Sequence, residues 1–148
     1  MYGEIHKVLN DLSCDRVYII LNHISLGDNH YLTILYEVTA KGVARISDFW
    51  QDIKMSELPK FTASMARNEL MLIRDIDSLM EHAKAIFSSN GTQSLIVQKL
   101  HDTTHDWVGS LSVILQNPSL MILMRKTRKL ILQPYIQYIL PAVKERKL

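Results

Sequence analysis

The densest group of potential metal ligands in this sequence is the run His101-Asp102-Thr103-Thr104-His105-Asp106. Imidazole and carboxylate groups at such close spacing are ligands that Zn²⁺ and other divalent ions accept. The run lies between two strand-like segments, 94–100 and 107–115, where a hairpin turn is expected. Aspartate and threonine are frequent in turns because their side chains bond to nearby backbone groups. The turn accounts for these residues, and the sequence predicts no metal site.

The single cysteine, Cys14, is a candidate nucleophile. Its neighbour Asp15 raises the expected pKa of the thiol, because a nearby negative charge opposes formation of the thiolate. We therefore predict a thiol that lies in the core or at a helix end. No recognisable order of serine, histidine and aspartate stands out, and the sequence predicts no enzyme. One cysteine excludes an internal disulfide and favours a cytoplasmic location.

The elements that position these residues begin with a helix and a buried strand. Apolar residues at the spacing of one helix face predict a helix over residues 2–12. The next segment, 15–23, is apolar at both parities, which is typical of a central strand covered on both faces.

The following strand, 31–38, shows an alternation of apolar and polar residues. Leu32, Ile34, Tyr36 and Val38 fall at one parity, and polar residues such as Glu37 fall at the other. This pattern predicts a half-buried strand with the four apolar side chains on one face.

The rest of the chain predicts alternating helices and strands within one domain over 1–148. We expect a helix over 57–67, a strand over 70–73, a helix that ends near Asn90-Gly91, and a hairpin over 94–115. A C-terminal helical segment, 118–148, follows. Pro134 lies inside it and predicts a kink or a break there, because proline removes a helix hydrogen bond.

This order of elements and several short segments resemble the GAF domain family. The resemblance covers roughly residues 1–130 and is carried by Cys14–Ile19, Tyr31–Val38 with Gly42-Val43, Ile73–Asp75, Gly91–Val97 and Trp107–Leu111. It implies an α+β fold, in which a central antiparallel sheet has the N- and C-terminal helices packed on one face. The segment 44–68 would cover a pocket on the other face.

The resemblance also implies pocket residues. Phe49, Trp50 and Phe61 lie in the covering segment, and Arg74 follows a strand end. Aromatic rings with one basic group can hold a flat or anionic ligand. The alternative is that the rings fill the pocket as core, since most buried aromatic side chains serve packing.

Family members commonly dimerise through their first and last helices, and this implies a homodimer here. The apolar residues of those helices that we expect at the interface are Ile5, Leu9, Leu12, Leu120, Leu123, Met124 and Ile131.

Two subgroups of the family fit poorly. The cyclic-nucleotide subgroup carries an Asn-Lys…Phe…Asp-Glu pattern, of which Asn68-Glu69 is the nearest fragment here. Covalent bilin attachment needs a cysteine near the pocket helix, whereas Cys14 precedes the first strand. The sequence identifies no cofactor.

Charge is unevenly distributed, although the net charge is only +2. Seven of the 17 basic residues and one of the 15 acidic residues lie from Asn117 onward. The basic run Arg125–Lys129 interrupts apolar blocks without forming a clean amphipathic stripe. We therefore expect a protein partner at this helix, and neither nucleic acid nor a membrane surface. Apolar runs of five residues, such as 120–124, are far shorter than the roughly 20 that a membrane span needs.

Two functions remain open from the sequence. The leading hypothesis is a non-enzymatic sensory or regulatory module that binds a small ligand or a protein partner and dimerises. The alternative is a structural, assembly or host-interaction protein, for example from a phage, that uses the same scaffold with a filled pocket.

Overall fold

The computed structural model of this chain describes residues 2–24, 30–73, 94–101, 107–115 and 132–146. Its helices are α1 (Tyr2–Leu12), α2 (Pro59–Arg67) and α3 (Gln133–Arg146), with short 3₁₀ turns at Ser47–Phe49 and Met55–Glu57. Its strands are β1 (Arg16–Ile24), β2 (His30–Thr39), β3 (Ile53–Lys54), β4 (Leu70–Ile73), β5 (Ser94–His101) and β6 (Trp107–Leu115).

These strands form one antiparallel sheet in the order β3-β2-β1-β6-β5-β4. The predicted α+β class is confirmed, and so are the strand at 15–23 and the hairpin that joins β5 to β6. β1 lies in the middle of the sheet between β2 and β6. As its composition predicts, it is buried on both faces.

The two faces of the sheet carry separate apolar clusters. We call the first the helix face, because α1 and α3 contribute Ile5, Val8, Ile139 and Val143 to its cluster. The predicted packing of the terminal helices on one face is confirmed for α1 and α3. On the other face, Ile20 and Ile34 pack beneath residues of the segment that connects β2 to β4.

The prediction that one apolar face runs along all of β2 is wrong. Leu32 and Ile34 belong to one cluster, whereas Val38 belongs to the cluster on the helix face. The reason is a β-bulge: Ile19 pairs with Tyr36 and Ile20 pairs with Ile34, so Leu35 is an extra residue in β2. A bulge changes which side chains point to each face. It also places Glu37 in the interior, where it is 1% exposed.

Sheet topology explains why the second face is covered. β2 and β4 are separated by β1, β6 and β5, so the connection between them must cross the sheet. We call this connection, residues 44–68, the roof segment, and the face beneath it the roof face. The segment first follows the outer edge of β2, where the Ile34 amide donates to the Trp50 carbonyl at 2.8 Å. It then contributes Leu58, Phe61 and Met65 to the apolar cluster of the roof face.

Helix α3 begins at Gln133, with Pro134 in its first turn. Proline is tolerated there because the first amide groups of a helix have no partner within it. The predicted helices over 75–90 and 118–131 lie outside the described residues.

Gly109 is a position where only glycine fits. A Cβ at this residue would collide with the backbone carbonyl oxygen of Ile20 and would lie 3.4 Å from Cγ1 of Val143. The close approach lets β6 pack tightly against β1 while α3 rests on the sheet.

We expect Gly109→Ala to lower the free energy of unfolding by about 2 kcal/mol or more, since overpacking a core typically costs 1–3 kcal/mol. Urea unfolding followed by circular dichroism measures the change. Gly3→Ala is the matched control, because a Cβ there meets nothing within 4 Å and alanine favours the helix by up to about 1 kcal/mol. Equal stability of the two variants would contradict the packing argument.

Candidate functional site

Four uncharged buried polar groups lie on the roof face of β1 and β6. They are the hydroxyl groups of Tyr18, Ser110 and Ser112 and the side-chain carbonyl of Asn22, and we call them the polar floor. None of these four oxygen atoms has a partner in good hydrogen-bond geometry in the described structure, although the Ser112 hydroxyl lies near enough to that of Tyr18 to oppose the rise in its pKa. Buried polar groups are nearly always hydrogen-bonded in proteins, so the polar floor is a candidate site.

Strand alternation brings the polar floor together. Tyr18 pairs directly with Ser112, and Ile20 pairs with Ser110, across the β1–β6 ladder. Since successive side chains of a strand alternate between faces, residues 18, 20 and 22 share the roof face with residues 110 and 112. Burial raises the pKa of the Tyr18 hydroxyl above its ordinary range, so this group stays protonated and can donate a hydrogen bond.

A buried ion pair joins this face to the roof segment. Nε of Arg16 lies 3.2 Å from Oε2 of Glu37, and both side chains are almost completely excluded from solvent. The Glu37 carboxylate also accepts hydrogen bonds from the backbone amides of Ile46, at 3.0 and 3.1 Å, and of Ser47, at 3.1 Å. Arg16 donates to the backbone carbonyl of Ala44. We call this arrangement the Arg16–Glu37 clasp.

The two buried charges of the clasp neutralise each other. Burial lowers the pKa of the Arg16 guanidinium, and the Glu37 carboxylate opposes that shift. Arginine remains charged in proteins, so the interior holds one positive and one negative charge in contact. Arg45, which is 60% exposed, adds a longer contact of 3.4 Å to Glu37 from the surface. The clasp therefore fixes the start of the roof segment without leaving a net charge inside.

The aromatic residues predicted for the pocket lie in the roof. Trp50 and Phe61 are both buried in the apolar cluster of the roof face, above the sheet residues Ile20 and Ile34. The backbone of Phe49 closes a 3₁₀ turn beside Trp50. Arg74 lies outside the described residues. The structure thus brings Trp50 and Phe61 to the face that carries the polar floor, and they stand there as packed core residues.

A basic side chain lies at one side of the polar floor. Lys99 pairs with Ser110 on the roof face, and its ammonium lies 5.9 Å from the centroid of the Trp107 ring. At that distance a cation is attracted to the face of an indole. Asn22 donates from its amide nitrogen to the Trp107 carbonyl at 3.0 Å, which leaves the Asn22 carbonyl oxygen as the remaining polar atom of that side chain.

Two polar groupings have structural explanations. His101 is the last residue of β5, and its Nε2 lies 3.1 Å from a Glu69 carboxylate oxygen; residues 102–106 of the predicted turn lie outside the described part of the chain. Nowhere in the described ranges do three histidine, cysteine or carboxylate side chains meet as a metal set would require.

The second grouping is His23, Thr33 and Asp52, which looks like a catalytic set but lacks its geometry. Nε2 of His23 faces both the Thr33 hydroxyl at 2.8 Å and Asp52 at 3.2 Å. A catalytic triad needs the carboxylate on the opposite ring nitrogen. The Thr33 oxygen also accepts from the Asp52 amide at 2.9 Å, and Asp52 has a φ of 52°. The three side chains therefore stabilise a tight turn.

Cys14 lies on the other side of the sheet from the polar floor. Its side chain belongs to the apolar cluster of the helix face, as predicted for a core thiol. Burial, with a smaller effect of Asp15, raises the pKa of the thiol to about 12. Because the sequence holds no other cysteine, the roof face offers no thiol for covalent attachment of a ligand.

The terminal helices contact each other on the helix face. The Tyr135 hydroxyl in α3 donates to the Asp11 carboxylate in α1 at 2.7 Å. Ile5 and Leu9, expected at a dimer interface, are buried in this chain's own core, and Leu12 is half-buried against it. The other expected interface residues lie outside the described ranges, namely Leu120, Leu123, Met124 and Ile131.

Reasoning from the sequence missed the polar floor and the Arg16–Glu37 clasp. One local signal was available: Ser110 and Ser112 occur at alternate positions of an otherwise apolar strand, so both must share one face. The clasp had no comparable signal, because the bulge at Leu35 decides which face Glu37 occupies.

Comparisons with known proteins support the fold. No protein-family model matches the sequence, and no curated protein matches it significantly. Several solved GAF-domain structures nevertheless share its architecture. The photoproduct state of GAF3 from Slr1393 of Synechocystis aligns with a TM-score of 0.58 at 14% identity, over 95% of this chain and 94% of that one.

Two further structures illustrate the range of relatives. The blue-light absorbing form of the Thermosynechococcus elongatus PixJ GAF domain aligns with a TM-score of 0.54 at 19% identity, over 76% of this chain and 64% of that one. This chain therefore spans less than two thirds of the PixJ domain. A Staphylococcus aureus NreA protein, mutated in its nitrate-binding site, aligns with a TM-score of 0.55 at 14% identity, over 75% of this chain and 79% of that one. At these identities the likeness shows that the chain has a GAF-like fold.

The clasp generates a stability prediction. We expect Glu37→Gln to lower the free energy of unfolding by about 3–5 kcal/mol, because it leaves the Arg16 charge buried without its partner. Denaturant unfolding measures the change.

Arg45→Gln is the matched control, since it removes an exposed ion pair to the same carboxylate and should cost less than about 1 kcal/mol. If both variants lose similar stability, the buried Arg16–Glu37 contact does not hold the roof segment as described.

Proposed function

We propose that this chain is a sensory or regulatory module that binds a small ligand between the polar floor and the roof segment. The observation that carries the proposal is the set of four buried oxygen atoms at Tyr18, Asn22, Ser110 and Ser112, which lack partners in good hydrogen-bond geometry apart from the proximity of Tyr18 and Ser112 to each other. Each unpartnered buried group costs roughly 1–3 kcal/mol of stability. A ligand that forms hydrogen bonds to these atoms recovers part of that free energy, so binding there is favourable.

The fold gives this proposal independent support. GAF-like neighbours include a blue-light absorbing PixJ GAF domain and an NreA protein with a nitrate-binding site. The roof segment is attached to the sheet through the Arg16–Glu37 clasp and the edge of β2. A ligand beneath it would therefore alter the packing of a segment that is exposed on its outer side.

The proposed role is binding without catalysis. In the described part of the chain, the contact between His23, Thr33 and Asp52 lacks triad geometry, and the Cys14 thiol is buried on the opposite face. We also propose a cytoplasmic location, which the free, buried thiol supports. Among the described helices, none combines the length and the hydropathy that crossing a bilayer requires.

The first test is native mass spectrometry of freshly purified protein against a denatured control. We expect a retained mass that is lost on denaturation and is reduced by Tyr18→Phe, since loss of one hydrogen bond weakens binding by about 1 kcal/mol, or roughly fivefold. Tyr36→Phe is the matched control, because Tyr36 packs on the helix face.

A second candidate function is a partner-binding or assembly scaffold with a filled core. The burial of Trp50 and Phe61 within the apolar cluster favours it. This function predicts no retained mass, and that result would count against the ligand-binding proposal.

We further propose that the chain forms homodimers through the outer faces of α1 and α3. Because Ile5 and Leu9 already pack inside the chain, the interface must use other side chains. Tyr2 in α1 is 48% exposed and Tyr138 in α3 is 57% exposed, and both are large hydrophobic residues at the surface. Exposed tyrosines are frequent anchors of protein interfaces. A protein partner at the basic run 125–129 remains a prediction, since that run lies outside the described residues.

The double variant Tyr2→Asp/Tyr138→Asp tests the dimer. We expect its dissociation constant to rise about thirtyfold or more, as for loss of interface anchors worth 2 kcal/mol. Size-exclusion chromatography with light scattering over a concentration series measures it. Lys54→Glu, an exposed change on β3, should leave the dimer intact. A monomer at all concentrations of the wild-type chain would exclude the proposal.

A further inference from the structure

The polar floor specifies more than the presence of a ligand. Its three hydroxyl groups, from Tyr18, Ser110 and Ser112, can each donate or accept a hydrogen bond. Asn22 differs, because its amide nitrogen already donates to the Trp107 carbonyl. Its free atom is the carbonyl oxygen, which only accepts. A ligand that satisfies the floor must therefore bring at least one hydrogen-bond donor.

The charges around the floor restrict the ligand further. Arg16 is the buried cation nearest in sequence to Tyr18, and it is already neutralised by Glu37 and bonded to the Ala44 carbonyl. An anion buried against neutral hydroxyl groups would lack a counter-charge, which is strongly unfavourable in an interior of low dielectric constant. Lys99 carries a positive charge on the same face, but its ammonium is placed over the Trp107 ring and its side chain is only half-buried.

The polar groups of the floor lie on adjacent strands. Ser110 and Ser112 are two positions apart on one strand, which is about 7 Å at 3.3–3.4 Å per residue. Tyr18 lies opposite Ser112, and Asn22 lies two positions beyond Ile20 on β1.

From these observations we propose that the site takes an uncharged molecule that carries an amide, urea or lactam group. Such a group places a donor beside an acceptor. The donor bonds to the Asn22 carbonyl or to a serine oxygen, and the acceptor receives the hydrogen bond of a floor hydroxyl. This inference rests on the proposed ligand-binding function and names the class of ligand.

Matched pairs of probes that differ only in charge test this class. Acetamide with acetate, benzamide with benzoate, and nicotinamide with nicotinate can be titrated into the wild-type chain by protein-observed NMR. We expect the amide of at least one pair to bind about tenfold or more tightly than its carboxylate, because the carboxylate brings no donor and no compensated charge. Its affinity should not depend on salt concentration.

Three variants connect the binding to the residues. Ser112→Ala and Asn22→Leu should each weaken amide binding about fivefold or more, since each removes one hydrogen-bonding group from the floor. Lys99→Gln is the control, and it should leave amide binding within about twofold. Circular dichroism of each variant checks that the fold is retained, and a variant that unfolds is replaced by Ser110→Ala.

The outcomes separate this inference from the proposed function. One outcome is that a carboxylate, or nitrate added as a further probe, binds more tightly than the amides, and that Lys99→Gln or added salt abolishes this anion binding. The ligand class is then wrong and the proposed function stands. If no probe binds, the ligand retained in native mass spectrometry tests the ligand class. An uncharged retained ligand supports the class, and an anionic one overturns it. If no probe binds and no mass is retained, both the class and the proposed function are overturned.

Discussion

The Arg16–Glu37 clasp is the interaction on which the arrangement of the roof face depends. Taking an ion pair out of water is expensive, and such a pair is stable only when its other polar atoms are also satisfied. Here the backbone of residues 44, 46 and 47 supplies those partners. The same bonds that stabilise the two charges therefore also fix the point at which the chain leaves β2 and starts across the sheet.

The roof face combines an apolar layer with a layer of buried polar groups. Its outer layer is apolar and well packed, with Trp50, Leu58 and Phe61 buried. Its inner layer, between β1 and β6, carries hydroxyl groups in a position where valine or isoleucine would stabilise the chain more. Packing by the roof offsets the cost of the polar layer. The two layers thus differ in role: the roof stabilises the fold, and the floor carries polar groups that the stability of the fold does not need.

The sequence predicted those parts of the fold that depend on local periodicity. Residues 2–12 and 15–23 follow simple helix and strand patterns, and both were predicted with nearly the observed limits. The family resemblance placed Trp50 and Phe61 in a segment that covers one face of the sheet, and both lie there as core residues. Glu37 was placed on the wrong face, because a bulge in β2 leaves no mark in the alternation itself. Arg16 could not be recognised as its partner, since their contact depends on the register of β1 against β2.

The bulge at Leu35 reverses which side chains of β2 face the roof segment, so the two halves of the strand differ in their alternation. Before it, even-numbered residues face the roof; after it, odd-numbered residues do. Deletion of this residue alone would remove the bulge: Ile34 and Tyr36 already pair with consecutive residues of β1, so Glu37 would stay on the roof face. A deletion elsewhere in β2 that left the bulge in place would instead turn part of the strand over. The fold therefore accommodates a single-residue deletion at position 35, whereas insertions and deletions at other positions of β2 are constrained more strictly than substitutions.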